Sequence, residues 1–410
     1  MVFQRIYKSP NSLHFPVVSL AVLSLGAVLS TANPLLTPDE LAAQAIDSEP
    51  FLVLTTAELA PKLIGSASRV VLIDQFLAGV VDDDAWSPPC SCDDADDPAL
   101  LFYSSGTTGK SKGVVSTHGN VIAAGEILRS VWGRDDGGDD GGEVYGCVLP
   151  MFHMFGFSAF VVGAPAMGAT TVVVPGRFSV DKLMSAMEEH RVTTLLAVPP
   201  MVVQMAKAAG PESHRHRRRQ RGDAGCASGT WWCLPQEHMA RFRSCFPGVR
   251  LAQCYGLTET TGNVTMDDLC PLPHDNNDGG AAAVKEPSSL NTGRLVPSTE
   301  ARIVDVESGS GEALPPNRAG ELWIRGPFVM QGYLRGEEAT ATATALVALA
   351  SDDDGGGGRW LRTGDLCYVD SNGRLHVVNR IKELIKYKAY QVAPAELEHV
   401  LAAHPDIQYG

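Results

Sequence analysis

The sequence predicts an α/β fold of layered sheets, and three observations predict it. Short apolar runs of β type alternate with amphipathic stretches along most of the chain. Apolar residues make up 44% of the 410 positions and charged residues 20%, a balance that excludes a largely disordered chain. The length suggests roughly two to three domains, enough to bury a sizeable core.

The elements follow in chain order. Residues 15–29 form an apolar run behind Arg5 and Lys8, a pattern shared by signal-peptide cores and buried helices. Pro16, Ser19, Ser24 and Gly26 interrupt it, which favours a buried helix. Residues 99–103, 170–174 and 193–198 read as buried strands, and 120–131, 180–189 and 237–246 as helices. Residues 366–370 and 374–378 flank Asn372 and Gly373, a hairpin signal. Pro394 opens an amphipathic helix with Leu397, Val400 and Leu401 on one face. Inserts near 133–143, 211–234 and 339–358 read as non-structural, the first and last rich in acidic residues, glycine or alanine and threonine. Residues 214–221 are strongly basic and fit a solvated loop, a nuclear signal or a nucleic-acid patch.

Charge and cysteine use narrow the function. Lys and Arg number 33 against 47 Asp and Glu, a net charge of −14, so the chain does not wrap nucleic acid by bulk charge. The nine cysteines lack the paired spacing of a zinc site and read as free thiols of a reducing compartment. No unbroken stretch of 18 apolar residues exists, which argues against a transmembrane span. The last residues, Gln408, Tyr409 and Gly410, carry no peroxisomal or endoplasmic-reticulum address, so a cytoplasmic location is expected, with peroxisomal relatives as the alternative; a monomer is expected.

The most informative segment runs from Tyr103 to Gly113, behind an apolar strand and ahead of a helix. Its glycines let a backbone approach an anion closely. Its Ser and Thr hydroxyls donate to phosphate oxygens, and Lys110 and Lys112 add point charges. A Walker A motif fails because position 104 is Ser. Gly109, Ser111 and Gly113 match the G-x-S-x-G nucleophile elbow, so a Ser111 hydrolase is one rival.

The whole string resembles the phosphate-binding signature of the adenylate-forming superfamily, which includes acyl-CoA synthetases and luciferases. Further segments follow in that family's order: 150–156, 255–260, 320–326 with Gly332 and Tyr333, 363–366, 380–388 and 391–398. The lysine-rich 380–388 most resembles plant 4-coumarate:CoA ligases and their ligase-like relatives. The implied fold is a large multi-layer α/β domain over 1–380, incomplete at its start, followed by the start of a small lid over 381–410. The implied reaction activates a carboxylic acid with Mg²⁺ and ATP to acyl-AMP and pyrophosphate, then passes the acyl group to coenzyme A.

The resemblance also implies roles. Ser104, Ser105, Gly106, Thr107, Thr108 and Lys112 would hold the triphosphate. Thr258 and Glu259 would sit at the α-phosphate and the metal, a hard cation suited by a carboxylate. Asp365 would accept the ribose hydroxyls, with Arg380 beside it. Gln253 and Tyr255 fall on the adenine side, the ring offering stacking area. His153 would lie between phosphate and acyl pocket, with Phe155, Gly256 and Leu257 lining the substrate. Lys386 and Gln391 would face the adenylate; Arg177, Lys388 and Ala389 would face coenzyme A.

The chain departs from the pattern at Cys254, Asn379 and Ala389, and between 211 and 234, where a small-residue pocket loop is expected and a frame or splicing error is suggested. It starts inside the family's pattern near Ser12, which predicts exposed apolar surface, and the family's adenylate-contacting C-terminal lysine falls beyond Gly410. Thioester formation is therefore expected to be impaired, and an ATP-binding remnant is the second rival.

Overall fold

The computed structural model describes residues 4–63, 69–79, 94–104, 111–133, 142–209, 225–229, 236–247, 249–267, 291–308, 311–334, 345–348, 359–383, 385–387 and 390–392. Six strands come first: β1 (Gln4–Lys8), β2 (Val28–Ala32), β3 (Leu52–Thr55), β4 (Val70–Leu72), β5 (Pro98–Ser104) and β6 (Lys112–Thr117). Seven follow: β7 (Val144–Cys147), β8 (Thr170–Val173), β9 (Thr194–Ala197), β10 (Gly225–Gly229), β11 (Arg250–Leu257), β12 (Gly262–Met266) and β13 (Arg294–Leu295). The last are β14 (Glu300–Val304), β15 (Gly320–Arg325), β16 (Gly332–Tyr333), β17 (Leu346–Val347), β18 (Trp360–Val369), β19 (Leu375–Arg380), β20 (Ile385–Tyr387) and β21 (Tyr390–Val392).

Two seven-stranded sheets share one design. The first has the order β16-β6-β5-β2-β1-β3-β4 and the second β13-β12-β11-β10-β9-β7-β8. In each, five strands are parallel and two antiparallel strands close one end. Parallel strands covered on both faces read as continuous apolar runs, and β5 shows this with Ala99, Leu100, Leu101 and Phe102 all buried. A third sheet, β14-β15-β18-β17 with β19 on β18, is antiparallel. One core joins all three, with Leu100 and Phe102 from the first, Leu196 and Tyr255 from the second, and Leu322 and Ile324 from the third.

The helices expected over 120–131, 180–189 and 237–246 are present as His118–Trp132, Val180–Glu189 and Gln236–Cys245. The Asn372–Gly373 hairpin joins β18 and β19, with Asp370 Oδ1 accepting from the backbone of Asn372 and Arg374 at 2.9 Å. Among the described residues, no helix is long and apolar enough to cross a membrane.

Four expectations change. The run 15–29 is a helix only over His14–Ser24; Gly26, at φ +64°, turns the chain and β2 begins at Val28. A strand, β6, stands between the phosphate segment and the helix His118–Trp132, so that segment joins two antiparallel strands. Ser111 therefore precedes a strand and not the helix of a nucleophile elbow. The supposed inserts also carry structure: Gly225–Gly229 forms β10 inside the second sheet, and Leu346–Val347 pairs with β18. Without β10 the facing edges of β9 and β11 would lose their hydrogen bonds. The basic run 214–221, most of the remaining parts of the inserts and the residues after 392 lie outside the described residues. On the helix His14–Ser24 and its start, Leu13, Val17 and Leu20 form an exposed apolar stripe.

Candidate active site

The site is built where the antiparallel ends of the two large sheets meet. In the β5–β6 pair, Ser104 lies opposite Lys112 and Tyr103 opposite Gly113, so these residues flank the phosphate segment. Tyr103 donates from its hydroxyl to Asp47 at 2.6 Å. On the other edge of β6, β16 sets Tyr333 opposite Val114, and Leu334 N–H donates to the Gly113 carbonyl at 2.9 Å.

The second sheet supplies the facing side. After β11 the chain makes a single turn over Thr258–Thr260. Thr260 Oγ1 fixes it, accepting from Leu257 N–H at 2.9 Å. The turn is tied to β6 by the buried Ser116–Thr261 hydroxyl pair, 2.8 Å. Gly256 must lack a side chain, because a Cβ there would meet the Gly262 carbonyl oxygen at 2.4 Å.

This assembly places two predicted groups, Lys112 and Glu259, in one row with Tyr333. Lys112 Nζ lies 5.0 Å from the centroid of the Tyr333 ring. The Tyr333 hydroxyl donates to Glu259 Oε1 at 3.0 Å. The Glu259 carbonyl accepts from Met330 N–H at 2.8 Å. Thr258 is buried beside them.

A second cluster lies under the third sheet. Asp365 on β18 is 3% exposed; its Oδ2 accepts from the Tyr255 hydroxyl at 2.6 Å, and its Oδ1 lies 3.4 Å from Arg380 Nε. Burial pushes the Asp365 carboxyl up to about 6, with Tyr255 and Arg380 opposing and the nearby Glu259 and Glu383 charges adding to the rise. Burial, then the Asp365 charge, raises the Tyr255 phenol well above its ordinary value. Tyr255 is 1% exposed, so its ring offers no open face for stacking; it acts here as a hydrogen-bond donor. Gln253 is buried and donates to the Asn291 carbonyl at 3.2 Å.

The chain from Pro150 to Phe157 forms a third piece. His153 caps the short helix Met154–Phe157, its Nδ1 accepting from Phe155 N–H at 3.4 Å. That bond assigns the remaining proton to Nε2. His153 is exposed, yet the surrounding protein partly desolvates the imidazole and lowers its pKa, which favours the neutral form. Asn11 braces this loop twice, donating to the Leu149 carbonyl at 2.7 Å and accepting from Met151 N–H at 2.8 Å. Thr31 Oγ1 donates to the Phe152 carbonyl at 2.7 Å.

The AMP-binding enzyme family matches residues 8–334, most of the chain. The chain belongs to that family. A rice protein named 4-coumarate–CoA ligase-like 8 is 58% identical over 97% of this chain and 71% of its own length. Peroxisomal OPC-8:0-CoA ligase 1 of Arabidopsis thaliana is 40% identical over 97% of this chain and 69% of its own. Among solved structures, ATP-bound MatB from Rhodopseudomonas palustris superposes with a TM-score of 0.78 at 24% identity, covering 100% of this chain and 75% of that one. The match to MatB is one of fold. The chain is thus an adenylate-forming CoA ligase by family.

In this AMP-binding enzyme the predicted residues divide by where the fold puts them. Lys112, Glu259 and Thr258 meet with Ser104 at the ends of the phosphate segment, and Asp365, Arg380 and Tyr255 meet under the third sheet. Leu257 is buried, while Gly256 and Phe155 are half-buried. Arg177 is exposed between β8 and the helix Val180–Glu189, and no hydrogen bond or ion pair joins it to either cluster among the described residues. Ser105, Gly106, Thr107, Thr108, Lys388 and Ala389 lie outside the described residues, as do the side chains of Lys386 and Gln391, whose backbones pair across β20 and β21.

A divalent cation fits the arrangement in one way. Among the described residues no three His, Cys, Asp or Glu side chains form a metal cage. Glu259 is a single half-buried carboxylate, and a nucleotide-borne Mg²⁺ takes one or two carboxylates plus phosphate oxygens. Sequence reasoning missed Asn11, Thr31, Asp47 and Asn291, which brace the site across 38 to 140 positions. Only Tyr333 carried a signal, as part of the Gly332–Tyr333 motif.

Proposed function

We propose that the chain activates a carboxylic acid, a hydroxycinnamate or another aromatic or fatty acid, with Mg²⁺ and ATP to acyl-AMP and pyrophosphate, then transfers the acyl group to coenzyme A. The observation that supports it is the row Lys112–Tyr333–Glu259 at the mouth of the phosphate segment. Two anions must approach each other in the first step, so catalysis here is positioning and neutralisation. Ser104 to Thr108 and Lys112 hold the triphosphate, and Glu259 with Thr258 takes the metal side and α-phosphate. Mg²⁺, when bound, supplies charge neutralisation on the phosphates. Asp365 and Arg380 hold the ribose, and Gln253 and Tyr255 wall the adenine side.

A neutral His153 can donate from Nε2 to a carboxylate or phosphate oxygen without repelling a cation nearby. Phe155, half-buried and packed on the core, gives the acyl side an apolar wall. Lys386 and Gln391 would face the adenylate, and Arg177, Lys388 and Ala389 coenzyme A, with the lid starting after Arg380. The reading is of a cytoplasmic monomer; organelle targeting of a full-chain fusion, or dimer by light scattering, would overturn that part.

The test is a panel of hydroxycinnamic, aromatic and fatty acids scored separately for pyrophosphate release and thioester product. Pyrophosphate release with at least one acid supports the reading. Bound ATP with no release for any acid would leave a nucleotide-binding remnant.

A further inference from the structure

We infer that Tyr333 is a positioning residue for Glu259, holding the metal-side carboxylate in place and apart from Lys112. The inference rests on the ligase reading above and assigns a role inside that site.

Both ends of the tyrosine are committed. The hydroxyl donates a hydrogen bond to Glu259 Oε1 at 3.0 Å, which fixes the carboxylate's rotation. The other oxygen, Oε2, has no hydrogen-bond partner among the described residues and is the one left for a cation. The ring carries Lys112 Nζ at 5.0 Å from its centroid, and a nearby ammonium is attracted to that face. The backbone leaves the ring little freedom, because Tyr333 pairs with Val114 and its neighbour Leu334 bonds to Gly113. The same segment also holds the Glu259 main chain through Met330.

The ring is a spacer as well as a donor. Lys112 and Glu259 carry opposite charges, the ammonium over the ring face and the carboxylate at the hydroxyl. With the spacer gone they are free to pair directly, and each would then be withdrawn from the ligand it is meant to meet, phosphate for the lysine and cation for the carboxylate. One residue thus keeps two charges available by holding both.

Two variants separate these roles. Y333F keeps the spacer and removes the donor; Y333A removes both. ATP binding is measured by calorimetry in EDTA and across a Mg²⁺ titration, with circular dichroism to verify folding. Y333F should lose less ATP affinity in EDTA than with Mg²⁺, its half-saturation with Mg²⁺ moving up roughly tenfold. Y333A should weaken both. Equal loss with and without metal in Y333F, or a Mg²⁺ midpoint within twofold of wild type, overturns the inference alone. A wild-type chain that binds no Mg·ATP overturns the ligase reading together with it.

Discussion

The phosphate end and the ribose end of the site are finished differently. At the phosphate end, Lys112 rests on a ring and Glu259 keeps one carboxylate oxygen without a partner among the described residues. At the ribose end, Asp365 is buried, takes the Tyr255 hydroxyl on one oxygen and faces Arg380 on the other. The first end is left open for a ligand to complete; the second is completed from within, so a ribose bound there as proposed would exchange for bonds already made. The same contrast assigns pH sensitivity to the ribose end, where burial has moved a carboxyl to about 6.

The largest effect should come from the open end. Glu259→Gln keeps the shape and the acceptor for Tyr333 but removes the charge, and Mg²⁺-dependent ATP affinity should fall by roughly a hundredfold, as for a lost charged partner. Binding in EDTA should change little. Equal loss in both conditions would break the distinction between the two ends.

Asp365→Asn tests the closed end. The wild-type carboxyl has a folded pKa raised above its unfolded value of 3.8, so its stability contribution is fully present below that value and is lost as pH rises through about 6. The asparagine variant lacks this loss. Its stability relative to wild type, from urea unfolding, should rise by about 2 kcal/mol between pH 4.5 and 7.5. A constant difference across that range would contradict the burial of Asp365, whatever happens to nucleotide affinity.

Smaller effects sharpen the picture. Asn11→Ala removes both braces from the loop before His153 and should cost about 1–2 kcal/mol in unfolding experiments. Activity should fall further than stability alone explains, since His153 hangs from that loop. Tyr255→Phe removes a donor that favours the charged Asp365, so the midpoint of the pH dependence of ATP binding should move upward by less than about one unit. A downward move would mean that Tyr255 does not act through Asp365.

Much of this was legible beforehand, and for physical reasons. Apolar runs buried on both faces, such as 99–102, announce parallel strands, and the hydroxyl-and-glycine composition after Tyr103 motivates the phosphate site proposed above. Gly225–Gly229 was hidden because small residues have low strand propensity, while its backbone pairs on both sides, with β9 and β11. β6 was hidden because the motif drew its residues into a loop, although Val114 and Val115 are β-branched. The bonds from Asn11 to Leu149 and from Tyr103 to Asp47 join residues far apart in sequence, and no local pattern encodes them. The burial of Tyr255 follows from the third sheet lying over it, which its motif does not reveal.

The most direct measurement is calorimetry of folded wild-type chain and its Lys112→Ala variant with Mg·ATP. Saturable binding is expected for the wild type, with affinity weakened by roughly tenfold or more in the variant. No heat with the wild type, or equal affinity in the two proteins, would contradict this expectation.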